Sequence, residues 1–276
     1  MKKFIAVTSV VSVLVAAGPG WAAPNLVGAQ LVAHGTQRTL SLPAAADHAP
    51  VISLGTAVDL ATGEVVEGYA IIHYAHSASH AGGSKAGGSP KCYTYIVKGV
   101  KWGTVEPWLV NPFNTRGLDG AYVLSNLSAD ISKWEDATDG VVGNTTGTNV
   151  LGDGSATTAT LVADTSAPDG QNEVYFADVS TEGAIAVTIV WFNRFTKRFV
   201  EWDQVYDDVD YDWSASGEAG KMDFENIATH ELGHSVGMGD LYNSCTEETM
   251  YGFAAFGETK KRDLNAGDIA GVNALY

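Results

Sequence analysis

Apolar residues recur at three- and four-residue steps over residues 118–137, at Val123, Leu127, Ile131 and Trp134. That spacing predicts an amphipathic helix with one buried face. A second helical pattern runs from Asp223 to Val236, where Asp223 suits an N-cap and Phe224, Ile227, Ala228, Leu232 and Val236 supply the apolar side. Between the two, strand-like runs occur at Glu173–Val179, Ala184–Phe192 and Arg198–Tyr206. Further strands are predicted at Tyr93–Val97 and around Trp108-Leu109-Val110. Upstream, Val51–Leu54 and Gly68–Ile72 flank a turn-like stretch at 61–64 and read as a short β-rich unit. Residues 138–155, rich in Gly, Thr, Asn and Asp, carry no phosphate-cradling pattern and read as a solvent loop.

Two interruptions divide the chain. At the start, Lys2-Lys3 precede an apolar run from Phe4 to Ala17 and small residues at Gly20 and Ala22, the layout of a secretory signal cut near Ala22. The run is shorter than the roughly 20 residues that a membrane-spanning helix needs. Residues 76–90 are mostly Gly, Ser and Ala with one Lys, which is linker composition. The expected organisation is a signal peptide at 1–22, an N-terminal segment at 23–75 (a propeptide or accessory strands), a linker at 76–91, and a compact domain at 92–276.

Charge narrows the partners. The 276 residues include 32 Asp and Glu against 16 Lys and Arg, a net charge of −16, which argues against nucleic acid and anionic membranes. A secreted monomer with no stable membrane association after signal cleavage is expected. Its two cysteines, Cys92 and Cys245, are most simply one disulfide in an exported protein.

Chemistry concentrates on the second helix. His230 and His234 lie one turn apart on one face, so both imidazoles can reach a single ion, and zinc accepts imidazole nitrogen and carboxylate oxygen. Glu231 is turned off that face and suits a general base acting on water. Gly237 permits the chain to turn back, and Asp240 then arrives with a third donor. The core His-Glu-x-x-His would occur by chance about once in a hundred chains of this length, and the longer string is far more restrictive.

The string His230-Glu231-x-x-His234-x-x-Gly237-x-x-Asp240, with Thr249-Met250-Tyr251-Gly252 after it, resembles the metzincin zinc peptidases, in particular the matrixins. The resemblance runs from about Cys92 to Tyr276. It departs from the matrixin pattern at Asp240, where matrixins have a third histidine and snapalysin-type enzymes have aspartate. It departs again at Phe253, where several metzincins carry a tyrosine that reaches the site.

The resemblance implies an α+β zincin fold: a twisted, mainly parallel mixed sheet, a backing helix, an active-site helix, and a small C-terminal subdomain with a Met-turn at Met250 and a closing helix. It implies Zn2+ held by His230, His234 and Asp240, hydrolysis of protein or peptide substrates with Glu231 as base, and a substrate strand laid along an exposed edge at Ala184, Val187 and Ile189. The alternative is a catalytically silent secreted zinc domain that binds a protein partner. Ser89-Pro90-Lys91-Cys92 is similar to the inhibitory cysteine segment of matrixin zymogens, so Cys92 either braces the domain through Cys245 or blocks the metal. Two features outside the string remain. The acidic run Asp203, Asp207, Asp208, Asp210 and Asp212 could hold Ca2+ or form a solvated strand end. His73, His76 and His80, which border the linker, read as solvated histidines in preference to a second metal site.

Overall fold

A computed structural model describes residues 38–46, 48–75 and 91–276. The expected signal peptide, residues 23–37, and His76 and His80 lie outside the described residues. Residues 37–276 form one compact unit.

Strands β1 (Thr39–Leu40), β2 (Val51–Val58) and β3 (Val65–Ala75) come first, followed by β4 (Trp108–Asn111) and helix α1 (Gly120–Asp136). Then come β5 (Gly154–Ala156), β6 (Asn172–Val179), β7 (Ala184–Asn193) and β8 (Arg198–Asp207). Two short strands, β9 (Trp213–Ser214) and β10 (Met222–Asp223), lead into α2 (Phe224–Ser235). Strand β11 (Phe253–Ala254) and α3 (Ala266–Leu275) complete the chain. Nine strands share one mixed sheet in the order β11-β3-β7-β8-β6-β4-β5, with β2 added to β3 and β1 to β6.

Strand β7 is the run Ala-Ile-Ala-Val-Thr-Ile-Val-Trp-Phe-Asn, buried at every position, as expected of a strand covered on both faces. On one face, Val110, Val174 and Phe192 pack with Leu127 and Trp134 of α1 and with Phe224 and Leu232 of α2. On the other, Ile52, Val66 and Ile72 of the N-terminal hairpin share a core with Val187, Ile189 and Val205. Among the described residues, no helix is long and apolar enough to cross a membrane.

Both predicted helices form within two residues of their expected ends, because cap chemistry coincides with the apolar face. The Asp119 side chain accepts from the Tyr122 N–H, and the Asp223 side chain accepts from the Asn226 N–H. Trp134 ties the helices together, its indole N–H donating to the Thr229 carbonyl at 2.8 Å.

Two expectations require correction. Tyr93–Val97 makes no strand: its ladder is a single antiparallel bridge between Tyr95 and Met238, and the Tyr95 hydroxyl donates instead to the Gly271 carbonyl. Strands β3 and β7, which lie on either side of the expected linker at 76–91, are hydrogen-bonded neighbours over Glu67–Tyr74 and Phe192–Ala184. For the same reason Ala184, Val187 and Ile189 do not lie on an open edge. Strand β7 is paired by β3 on one side and by β8 on the other.

Candidate metal centre

Helix α2 carries His230 and His234 on the face turned away from its solvent-free packing against α1, and the chain reverses at Gly237, whose φ of 108° is a conformation that favours glycine. Asp240 thereby returns beneath the two rings. One Asp240 carboxylate oxygen, Oδ1, lies 3.1 Å from His230 Nε2 and 3.4 Å from His234 Nε2. The two histidine side chains are fully buried, and that of Asp240 is 4% exposed.

Backbone carbonyls set the histidine tautomers. His230 Nδ1 is 2.7 Å from the Thr249 oxygen and His234 Nδ1 is 2.9 Å from the Met238 oxygen. A carbonyl only accepts, so each Nδ1 bears the proton and each Nε2 presents a lone pair. His230 Nε2, His234 Nε2 and Asp240 Oδ1 are buried atoms with no hydrogen-bond partner. Three such acceptors facing one another repel unless a positive charge lies between them, so the donor set fits a divalent cation.

The electrostatics agree with that demand. Burial would raise the Asp240 carboxyl, but the His234 and His230 rings outweigh it and hold the group well below the usual carboxylate range. Burial opposes charge on His234, and Asp240 reverses the outcome and raises it. Burial, aided by Lys261, lowers His230 to about 4. Burial thus keeps the His230 ring neutral, as a metal-binding imidazole must be.

Glu231 is fully buried beside this cluster. Burial pushes its carboxyl up to about 7. Both its oxygens are engaged: Thr188 Oγ1 on β7 donates to Oε2 at 2.6 Å, and His73 Nδ1 lies 3.1 Å from Oε1.

His73 is the principal correction to the sequence reading. It is not solvated but 0% exposed, and its ring stacks on His230 with centroids 3.8 Å apart. Its Nε2 is 3.1 Å from Nζ of Lys261, a buried lysine that no motif singled out. Lys261 also donates to the Tyr251 and Phe253 carbonyls, which uses all three of its N–H groups. Burial drives His73 well below its ordinary range and lowers Lys261 to about 8. A signal for His73 did exist: in a period of two it shares a strand face with Tyr69 and Ile71. Lys261, within Lys260-Lys261-Arg262, offered none.

Met250 is buried directly beneath α2, so that a Cβ added to Gly233 would fall 2.2 Å from its sulfur. Asp268 of α3 holds the turn before it, accepting from the Thr249 and Met250 N–H groups at 2.7 and 3.2 Å. Cys92 and Cys245 are disulfide-bonded, which removes the Cys92 thiolate as a blocker of the metal. Tyr242 donates to the second Asp240 oxygen at 3.0 Å.

The acidic run does not converge. Asp207 accepts from the Val179, Val209 and Asp210 N–H groups, Asp208 from that of Thr115, and Asp212 pairs with Arg116. Instead, Asp164, Asp169 and Glu201 come together, with Asp203 accepting from the Asp164 N–H beside them.

Residues 172–276 match the family model described as Peptidase_M10, Matrixin. The chain is similar to Metalloendoproteinase 1-MMP of Arabidopsis thaliana, 43% identical over 68 residues that cover 25% of this chain and 18% of that protein. It is also similar to Metalloendoproteinase 2-MMP of the same plant, 34% identical over 76 residues (25% and 19%), and to 4-MMP, 38% identical over 68 residues (25% and 18%). The chain thus spans about a fifth of the length of the curated relatives it matches. The stretch from β6 to α3, which carries every residue of the His-His-Asp cluster together with Glu231 and Met250, is matrixin-like in sequence.

Proposed function

We propose that this chain is a zinc-dependent endopeptidase of the metzincin kind, with His230, His234 and Asp240 as metal ligands and Glu231 as general base. The observation that carries the reading is the convergence of three buried, unpartnered donor atoms beside a buried carboxylate. The matrixin-like sequence of residues 172–276 supports it. Bound zinc would supply Lewis acidity for the scissile carbonyl and for water. Glu231 would take the proton from the attacking water and return it to the leaving amine, a task suited to a carboxyl raised toward neutrality. Met250 would form the floor of the site as a Met-turn, and the aspartate ligand would make the motif snapalysin-type. Protein or peptide is the substrate class. The chain is read as an exported monomer, on the layout of residues 1–22 and on a disulfide that suits an oxidising compartment.

The test is hydrolysis of unstructured protein by the zinc-loaded chain, as purified and after proteolytic processing, against Glu231→Gln and a chelated control. Glu231→Gln should keep stoichiometric zinc and lose about 10²- to 10⁴-fold in rate. Full zinc with no cleavage of any member of a diverse peptide library, processed or not, would instead assign the chain to silent zinc-binding domains.

A further inference from the structure

Phe195, on the turn that joins β7 to β8, is 90% exposed. The turn itself is fixed. The Asn193 side-chain oxygen accepts from the Phe195 and Thr196 N–H groups at 2.8 and 2.9 Å, and Lys197 follows in the left-handed region at φ 55°. The turn between β2 and β3 holds out Leu60, 87% exposed, while Asp59 accepts from the Ala61 N–H at 2.8 Å. The two turns are neighbours, joined by a 2.6 Å hydrogen bond from the Asn193 amide to Glu64. Two large apolar side chains therefore stand in water at one end of the sheet, on backbone that is tied down.

The chain around Phe195 is cationic. Residues 94–104 and 193–200 meet at the bridge between Lys101 and Arg198, where the Lys101 N–H also donates to the Lys197 carbonyl. Together these segments carry five of the 16 basic residues, Lys98, Lys101, Arg194, Lys197 and Arg198, and no carboxylate. Lys101 donates to the Leu275 carbonyl and Arg194 pairs with Glu67. Lys98, Lys197 and Arg198 are exposed, and among the described residues their side chains have no hydrogen-bond or ion-pair partner. In a chain of net charge −16, this end of the sheet has a charge opposite to that of the whole.

We propose that the β7–β8 turn is a docking wedge for an anionic lipid surface. Phe195, with Leu60 beside it, enters the boundary between headgroups and acyl chains, while Lys98, Lys197 and Arg198 meet the headgroups. An apolar wedge ringed by cations is the combination that such a surface rewards, since burial of the ring and attraction of the charges act together. Each cation at an anionic leaflet strengthens partition about fivefold. The negative charge elsewhere on the chain opposes contact weakly, because at physiological ionic strength a field fades over about 8 Å. Docking is reversible, and it leaves the metal centre clear of the bilayer: Thr188, which donates to Glu231, lies five residues before Asn193 on β7, about 17 Å along an extended strand.

The test is sedimentation of the full chain with vesicles at physiological salt. Wild type should bind vesicles of equal parts phosphatidylserine and phosphatidylcholine. Phe195→Ser should weaken that binding by about tenfold or more, and Lys197→Gln combined with Arg198→Gln by about 25-fold, with melting temperatures unchanged because all three side chains are exposed. A second readout is local to the turn. Cys92 and Cys245 are bonded, so Thr196→Cys supplies a single thiol for a polarity-sensitive dye, whose emission should shift to the blue on the mixed vesicles. The same dye on Ser128→Cys, on the exposed side of α1, should not shift. The proposal is overturned if the dye at residue 196 still reports water, or if either variant binds the mixed vesicles as well as wild type. It is overturned too if Phe195→Ser binds like wild type while the charge variant loses both vesicles and dextran sulfate, which would make the patch a site for soluble polyanions.

Discussion

Asp240 is held from both sides, with one oxygen turned to the two imidazoles and the other accepting from the Tyr242 hydroxyl. These contacts should separate in a zinc titration against a chromophoric chelator. Asp240→Ala removes a donor atom and should weaken zinc binding by more than about 100-fold. Tyr242→Phe removes only the group that orients the carboxylate and should cost about tenfold. Equal losses would mean that Asp240 is not a ligand. At this scale the sequence was informative where chemistry is local, because the five motif residues from His230 to Asp240 fix their own geometry through one helix and one glycine turn. For His73 it offered only the alternation of one strand, and for Lys261 nothing, because their contacts bridge 158 and 188 residues. Separations of that size leave no spacing to read, and a histidine next to a glycine-rich stretch has the composition of solvent.

Helices were legible because periodicity and caps are properties of short windows, and α2 shows what such windows miss. Gly233 sits in its interior, where alanine would ordinarily gain roughly 1 kcal/mol from helix propensity. Here the new methyl would lie 2.2 Å from the Met250 sulfur and 2.7 Å from the Trp134 ring, both fully buried. Overpacking of that kind costs about 1–3 kcal/mol, so sterics win and Gly233→Ala should lower stability in urea unfolding of the metal-free chain. The N-terminus of α2 gives a second measurement. Asp223 caps the Asn226 N–H at 3.0 Å and also receives the Arg262 guanidinium at 2.8 and 2.5 Å. Asp223→Ala should cost about 2 kcal/mol, and Asp223→Asn, which keeps the cap and loses the charge, distinctly less. Tyr93–Val97 shows the converse failure. Its aromatic and β-branched composition is that of a strand, but Tyr93 and Tyr95 pack under α3, against Gly271, and do not join a ladder.

Across the whole molecule, the sheet was legible as strands but not as an order of strands. That β3 inserts between β7 and β11 is a matter of long-range register, on which single-strand patterns are silent. The carboxylates between β6 and β8 are likewise a product of the assembled sheet, and they carry a pH dependence. Burial, with the nearby charge of Asp203, raises Glu201 to about 10; burial raises Glu173 to about 7 and Asp203 well above its usual range. A carboxyl whose folded pKa is raised holds its proton more tightly in the native state, so its stabilising contribution is complete in acid and is lost as pH rises from about 4 toward the folded value. Glu201 Oε1 and Asp164 Oδ2 are both buried without a partner, whereas the Gly170 N–H donates to the other Glu201 oxygen. Glu201→Gln keeps an acceptor for Gly170 and gives Asp164 a permanent donor. It should therefore raise the melting temperature at pH 8 by about 5 °C, for a few kcal/mol at this chain length, and change it little at pH 5, where the unfolded wild-type side chain is itself partly protonated and folding need bind little more proton. Calcium supplies the counter-measurement on the same two proteins. If added calcium raises the wild-type melting temperature at pH 8 and leaves Glu201→Gln unmoved, the oxygens of Asp164, Asp169 and Glu201 are bridged by a cation and not by a shared proton. The substitution then destabilises the chain in calcium, opposite in sign to its effect in chelator.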